Sequence, residues 1–200
     1  IENRAPDKDH IARMPPGIGV SVSGTAPKED VVYPGHPELG EQIVRGMIAD
    51  GFDIASMRGF PTNGQRAPSA PHAFGFVYRQ IMRDKPPPSV LAMVNTFYPP
   101  NQPTVARCYE FGKSMLRAIQ AWKSDSRVAL VASGGLSHFS IDEALDAAVI
   151  EALRQGKIDG LAPYGEEIFQ SGTSEIKNWI PVAGAMADLG LPMTLVDYVP

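Results

Sequence analysis

Cysteine is nearly missing from these 200 residues: Cys108 stands alone, which excludes an internal disulfide. Disulfide frameworks belong to oxidising compartments, and the opening residues carry no cationic, apolar leader pattern, so the sequence predicts a protein of the reducing cytoplasm. Long apolar runs are missing as well. Nothing approaches the ~18 consecutive apolar residues of a membrane-spanning helix, so no membrane partner is expected. Basic charge is sparse and scattered. Eighteen Lys and Arg against 22 Asp and Glu leave a net charge of −4, which gives no footprint for a phosphate backbone and excludes nucleic acid as the expected partner. The chain also lacks the GxxxxGKS/T phosphate loop, GxGxxG, GxSxG and CxxC, so nucleotide binding, a nucleophile-elbow hydrolase and thiolate zinc sites have no support.

What is present is the composition of a globular domain, 44% apolar and 20% charged, with 19 prolines and 19 glycines that imply many shaped loops. Residues 1–14 read as a polar leader, and residues 15–200 as one domain. Within it, Gly17–Ser23, Phe52–Met57, Ser89–Phe97, Arg127–Ala132 and Met193–Tyr198 carry strand patterns. Between them lie helical patterns. One opens at Pro37 and presents Leu39, Ile43, Val44, Met47 and Ile48 before Gly51. Beyond the Gly/Pro/Asn-rich loop Arg58–Pro71, a turn or two of helix follows His72. A longer helix runs from Thr104 to Trp122 behind Pro103, with Cys108, Phe111, Met115, Ile119 and Trp122 inward. Ser140 to Glu143 forms a capping-box pattern for a helix with the stripe Leu145, Ala148, Val149, Ala152 and Leu153, ended by Gly156. A last helix spans Glu175 to about Asp188. Alternating strands and helices predict an α/β fold: a central, mostly buried sheet with helices on both faces.

Four histidines carry the candidate chemistry. His138 follows an apolar strand pattern and a Gly-Gly pair in Ser133-Gly134-Gly135-Leu136-Ser137-His138, the position at a strand's carboxyl end where open α/β folds bind ligands. His72 borders a long shaped loop. His36 precedes a helix-opening proline and reads as a turn residue, while His10 lies in the polar leader. Glu175, in Gly172-Thr173-Ser174-Glu175, is either a first-turn carboxylate favoured by the helix dipole or a functional group. Cys108 falls on a core face and reads as a buried structural thiol.

Five segments in order then carry a resemblance: Gly35-His36-Pro37-Glu38-Leu39, Tyr98-Pro99-Pro100, Arg107-Cys108-Tyr109-Glu110-Phe111-Gly112-Lys113, the Ser133–His138 stretch, and Glu175-Ile176-Lys177-Asn178-Trp179. Together the chain resembles the catalytic subunit of class III extradiol ring-cleaving dioxygenases, the protocatechuate 4,5-dioxygenase beta-chain family, from about Pro15 to Pro200. The resemblance implies a LigB-like fold, a non-haem Fe(II) cofactor held by two histidines and a glutamate, and a catechol-type substrate opened with O2. It implies that Glu175 is the glutamate ligand, that His138 moves a proton from and back to the substrate, and that His72 is a second active-site histidine. It also implies a homo- or hetero-oligomer.

In that family both histidine ligands precede the matched region. His10 stands roughly where the second falls, and the first has no counterpart, so the domain is expected to lack its N-terminal strand-and-ligand region and its extreme C-terminus. The leading expectation is extradiol cleavage of a catechol ring. The alternatives are a non-catalytic structural subunit on the same fold, and a metal-free hydrolase or isomerase using His138 with a carboxylate.

Overall fold

The structure, a computed structural model, describes residues 33–56 and 71–200. Among these it divides into two units, one of residues 41–54 and 94–200 and the other of residues 33–40, 55–56 and 71–93. The polar leader, the Gly17–Ser23 pattern, His10 and most of the loop before His72 lie outside the described residues.

The larger unit is a packing of helices. α1 (Pro37–Ala49) enters it from Glu41 onward. α3 (Val105–Gln120), α4 (Glu143–Gln155) and α5 (Ile180–Leu189) complete the set, with 3-10 helices at Asp159–Leu161 and Ser171–Asn178. α3 starts where Thr104 accepts the Arg107 N–H at 3.1 Å, just behind Pro103. α4 is capped by Asp142, which accepts the Leu145 N–H at 3.0 Å, two residues later than the capping-box pattern places it. It ends at Gly156, whose φ of 63° supplies the left-handed cap.

The core joins these elements through Val105 and Cys108 of α3, Leu145, Val149 and Ala152 of α4, and Leu161, Phe169, Ile176 and Ile180. Each large apolar side chain removed from water here stabilises the fold by about 1.5–3 kcal/mol. α3 and α5 lie so close that a Cβ on Gly112 would sit 1.7 Å from the Pro181 carbonyl oxygen, and one on Gly184 would sit 2.2 Å from that of Tyr109. Only hydrogen fits between the two backbones at these points. On the other flank of α3, Asp50 accepts from Ser114 Oγ at 2.8 Å and from the Arg117 guanidinium at 2.7 Å, and these partners hold its carboxyl below the usual range.

The smaller unit holds the first turn of α1, where His36 Nδ1 accepts the Leu39 N–H at 3.2 Å and so acts as a helix cap. It also holds α2 (His72–Phe76), which continues as a π-helical turn over Val77–Ile81. The Tyr33 hydroxyl donates to Asp84, and its ring meets Tyr78 edge-on at 4.9 Å.

The expected central sheet is corrected by the structure. Among the described residues there is no strand, only an isolated parallel bridge between Gly35 and Ser89. The segments 52–56, 89–97, 127–132 and 193–198 carry no helix, yet none pairs into a ladder. Apolar, β-branched composition specifies a pleated backbone but not the neighbour that must complete its hydrogen bonds. Nor are these runs buried on two faces: Val131 is 58% exposed and Val196 95%. In α1, Ile48 likewise turns outward, although Leu39, Ile43 and Met47 are buried as the stripe predicts.

Candidate active site

His138 and Glu175 come together within the larger unit. His138 ends the loop that follows segment 127–132, and Glu175 lies in the 3-10 helix Ser171–Asn178. Nε2 of His138 faces Oε1 of Glu175 at 3.5 Å, with the two side chains 35% and 32% exposed. That distance is a loose polar contact, and the exposure leaves both groups within reach of a ligand.

Each group is fixed by its own surroundings. Glu175 Oε2 accepts the Gly135 N–H at 2.6 Å, a short charge-assisted bond that leaves Oε1 to face the imidazole. The 3-10 helix carrying Glu175 is tied down by Ser174, whose Oγ donates to Thr96 Oγ1 at 3.3 Å in the buried interior. It is tied down again by Lys177, 1% exposed, whose Nζ lies 2.9 Å from Glu166 Oε2. Glu166 Oε1 accepts the Val105 N–H at 2.7 Å, so one carboxylate joins the Glu175 helix to the start of α3. The Trp179 indole donates to the Gly134 carbonyl at 3.1 Å and binds the same helix to the histidine loop.

His138 has φ +69°, in the left-handed region that residues with a Cβ enter at a cost of about 1–2 kcal/mol. Histidine tolerates it better than most, but it persists only where neighbours over-determine it. One neighbour is Phe139, edge-on to the imidazole at 4.4 Å. Another is Gly172, on which a Cβ would lie 3.0 Å from His138 Nδ1 and 2.9 Å from Phe139 Cζ. Gly172 has to be a glycine for the imidazole to lie where it does. Ser137 is 4% exposed; its N–H and Oγ–H both go to the buried Asp146, and its Oγ accepts the Asp142 N–H at 3.0 Å.

His72 lies in the smaller unit, opening α2 with an exposed side chain, and is described there by itself. His10 is outside the described residues. Cys108 is fully buried, and burial pushes its thiol up to about 12, as befits a structural residue rather than a nucleophile. Among the described residues no group of three or more His, Cys, Asp or Glu side chains could hold a metal ion. His138 and Glu175 are a pair, so the described residues by themselves do not fit a three-ligand iron site.

Gly172, Ser137 and Asp146 were not singled out by the sequence. Asp146 left one trace: it falls four residues after Asp142 and three before Val149, on the edge of an apolar stripe where a charge is out of place.

No helix among the described residues is long and apolar enough to cross a membrane. The family model for the catalytic LigB subunit of aromatic ring-opening dioxygenase matches residues 16–194. Over 118 residues the chain is 30% identical to gallate dioxygenase of Pseudomonas putida, a match covering 58% of this chain and 32% of that protein. The matched stretch thus spans about a third of the length of that curated relative. With its matched region running through both His138 and Glu175, the chain belongs to the LigB family of aromatic ring-opening dioxygenase catalytic subunits.

Proposed function

We propose that this chain is the catalytic part of an Fe(II)-dependent extradiol dioxygenase of the protocatechuate 4,5-dioxygenase beta-chain type, acting on a catechol-type substrate in the cytoplasm as part of an oligomer. The observation that carries the reading is the meeting of His138 Nε2 and Glu175 Oε1 at 3.5 Å, both partly exposed, inside the region matched by the family. Glu175 is assigned as the carboxylate ligand. The histidine ligands fall to residues outside those described, with His10 the candidate. Fe(II) held by Glu175 and those residues would supply Lewis-acid activation of a catecholate and of O2.

The chain's own residues then do the proton work. His138 Nε2 accepts a proton from a substrate hydroxyl and returns it as the ring opens, a role suited to an imidazole, whose ring nitrogens can both accept and donate. The Gly135 N–H holds Glu175 Oε2 and so fixes the carboxylate in place. His72 is assigned, on the family resemblance alone, as a second active-site histidine.

Anaerobic Fe(II) binding, followed by O2 uptake with a catechol panel that includes protocatechuate and gallate, tests the reading. Stoichiometric iron and a yellow ring-opened product are expected. A protein that binds no iron, with or without residues added upstream, overturns it and favours a structural subunit. Turnover that survives thorough iron removal also overturns it, in favour of metal-free chemistry.

A further inference from the structure

We propose that Asp146 is a positioning residue for His138: it clamps Ser137, and the clamp holds the adjacent imidazole in its left-handed backbone conformation facing Glu175. The proposal rests on the assignment of proton transfer to His138.

Asp146 is 2% exposed and takes no part in the reaction as read above. Its oxygens are filled by three neutral donors: Oδ1 by the Ser137 N–H at 2.8 Å, and Oδ2 by Ser137 Oγ at 3.0 Å and the Tyr198 hydroxyl at 2.7 Å. An ionised carboxylate is the one side chain of this size that accepts at every position, so it suits three converging donors. Its place in the first turn of α4 offsets the charge, because the free N–H groups of a helix start favour an anion.

The geometry makes this more than core packing. Ser137 Oγ also accepts the Asp142 N–H, which closes the chain from 137 to 142 into a ring. His138, Phe139, Ser140 and Ile141 are all exposed in that ring, and these hydrogen bonds anchor its two ends. Phe139 and Gly172 press on the imidazole ring itself, but its backbone at φ +69° also needs a fixed point to turn from, and the residue before it supplies one in both backbone and side chain. Asp146 fixes both. Tyr198 brings the third donor from segment 193–198, and its bond to Asp146 pushes the phenol up to about 12.

Two readouts separate positioning from a merely structural role. In the iron-free protein labelled with 15N-histidine, Asp146→Asn should move the His138 ring resonances and leave those of His36 in place. In the intact iron-loaded enzyme, with the panel catechol that gives the fastest uptake, the same substitution should lower kcat roughly 10- to 100-fold with KM changed less than about threefold. In a His138→Ala background it should change the remaining rate less than about twofold, since residues acting through one another are not additive. Ser137→Ala, which keeps the backbone donor, should show the same pattern with a smaller loss, and it carries the test if Asp146→Asn fails to fold. Parental His138 resonances, or an equal rate loss in both backgrounds, overturn the proposal. Parental turnover in His138→Ala overturns instead the role of His138, and the resonances still decide whether Asp146 sets the imidazole.

Discussion

Gly135 donates its backbone N–H to one oxygen of Glu175 at 2.6 Å and so turns the other oxygen toward His138. The carboxylate is therefore held by the main chain of the same loop that ends in the histidine. A shift of that loop therefore acts on both groups, on the imidazole through its own backbone and on the carboxylate through this bond.

Replacing the two groups should give opposite losses. His138→Ala should reduce ring-opening by about 10²- to 10⁴-fold while iron content stays at the parental level, because its assigned work is on protons. Glu175→Ala should lose Fe(II) itself. Metal analysis beside O2 uptake checks both, and iron lost from the histidine variant or retained by the glutamate variant would refute the division of roles.

Gly172→Ala should act on the imidazole without unfolding the protein. The new methyl would press on His138 Nδ1 and on the tip of Phe139; Phe139, 78% exposed, can swing into solvent, whereas the imidazole can move only by changing its distance to Glu175. A fall in kcat of roughly tenfold is expected with Tm within a few degrees of the parent. Parental kcat would mean that the imidazole has more room than its packing implies.

The strut between Glu166 and Lys177 should be asymmetric. Glu166→Ala leaves the buried ammonium of Lys177 unpaired and the Val105 N–H without its acceptor, while Lys177→Met removes the buried charge and leaves Glu166, 43% exposed, to water. Discounted for that exposure, the glutamate change should cost about 1–3 kcal/mol more than the lysine change. Urea unfolding of the two variants measures the difference, and equal costs would show that Lys177 finds other partners.

Cys108 should remain unreactive toward a thiol reagent at pH 8 until the protein unfolds. Burial raises its thiol from 9.0 to about 12. A group whose value is raised on folding contributes fully below its unfolded value, and that contribution is lost as the pH climbs through the folded one. The parent should thus lose stability more steeply than Cys108→Ala between pH 9 and 12. Parallel curves for the two proteins would contradict this.

The helices were legible because their signals are local. Pro103 and Thr104 start α3, Gly156 stops α4, and Leu145, Val149 and Ala152 repeat on one face, all within a few residues of each other. The sheet was misread because a ladder is not local: Val128 to Val131 state a preference for extended backbone, and no residue in that run names a partner. His138 and Glu175 could be nominated from their segments, but their meeting depends on the backbone N–H of Gly135 and on Gly172, where a side chain would press on the imidazole. Asp146 leaves its trace on the edge of an apolar stripe, but a simpler reading masks it. An acidic residue near a helix start has a sufficient explanation in the helix dipole, and only the three donors around it show that it has further work.

The bond from the Trp179 indole to the Gly134 carbonyl gives the protein an optical handle. The chain has two tryptophans, and Trp122 lies two residues beyond the end of α3. With Trp122→Phe, a single tryptophan remains, excited selectively near the red edge of absorption, at the joint between the Glu175 helix and α5, its ring nitrogen tied to the histidine loop. The emission of that one indole then reports loop movement directly, with no added dye and no turnover required.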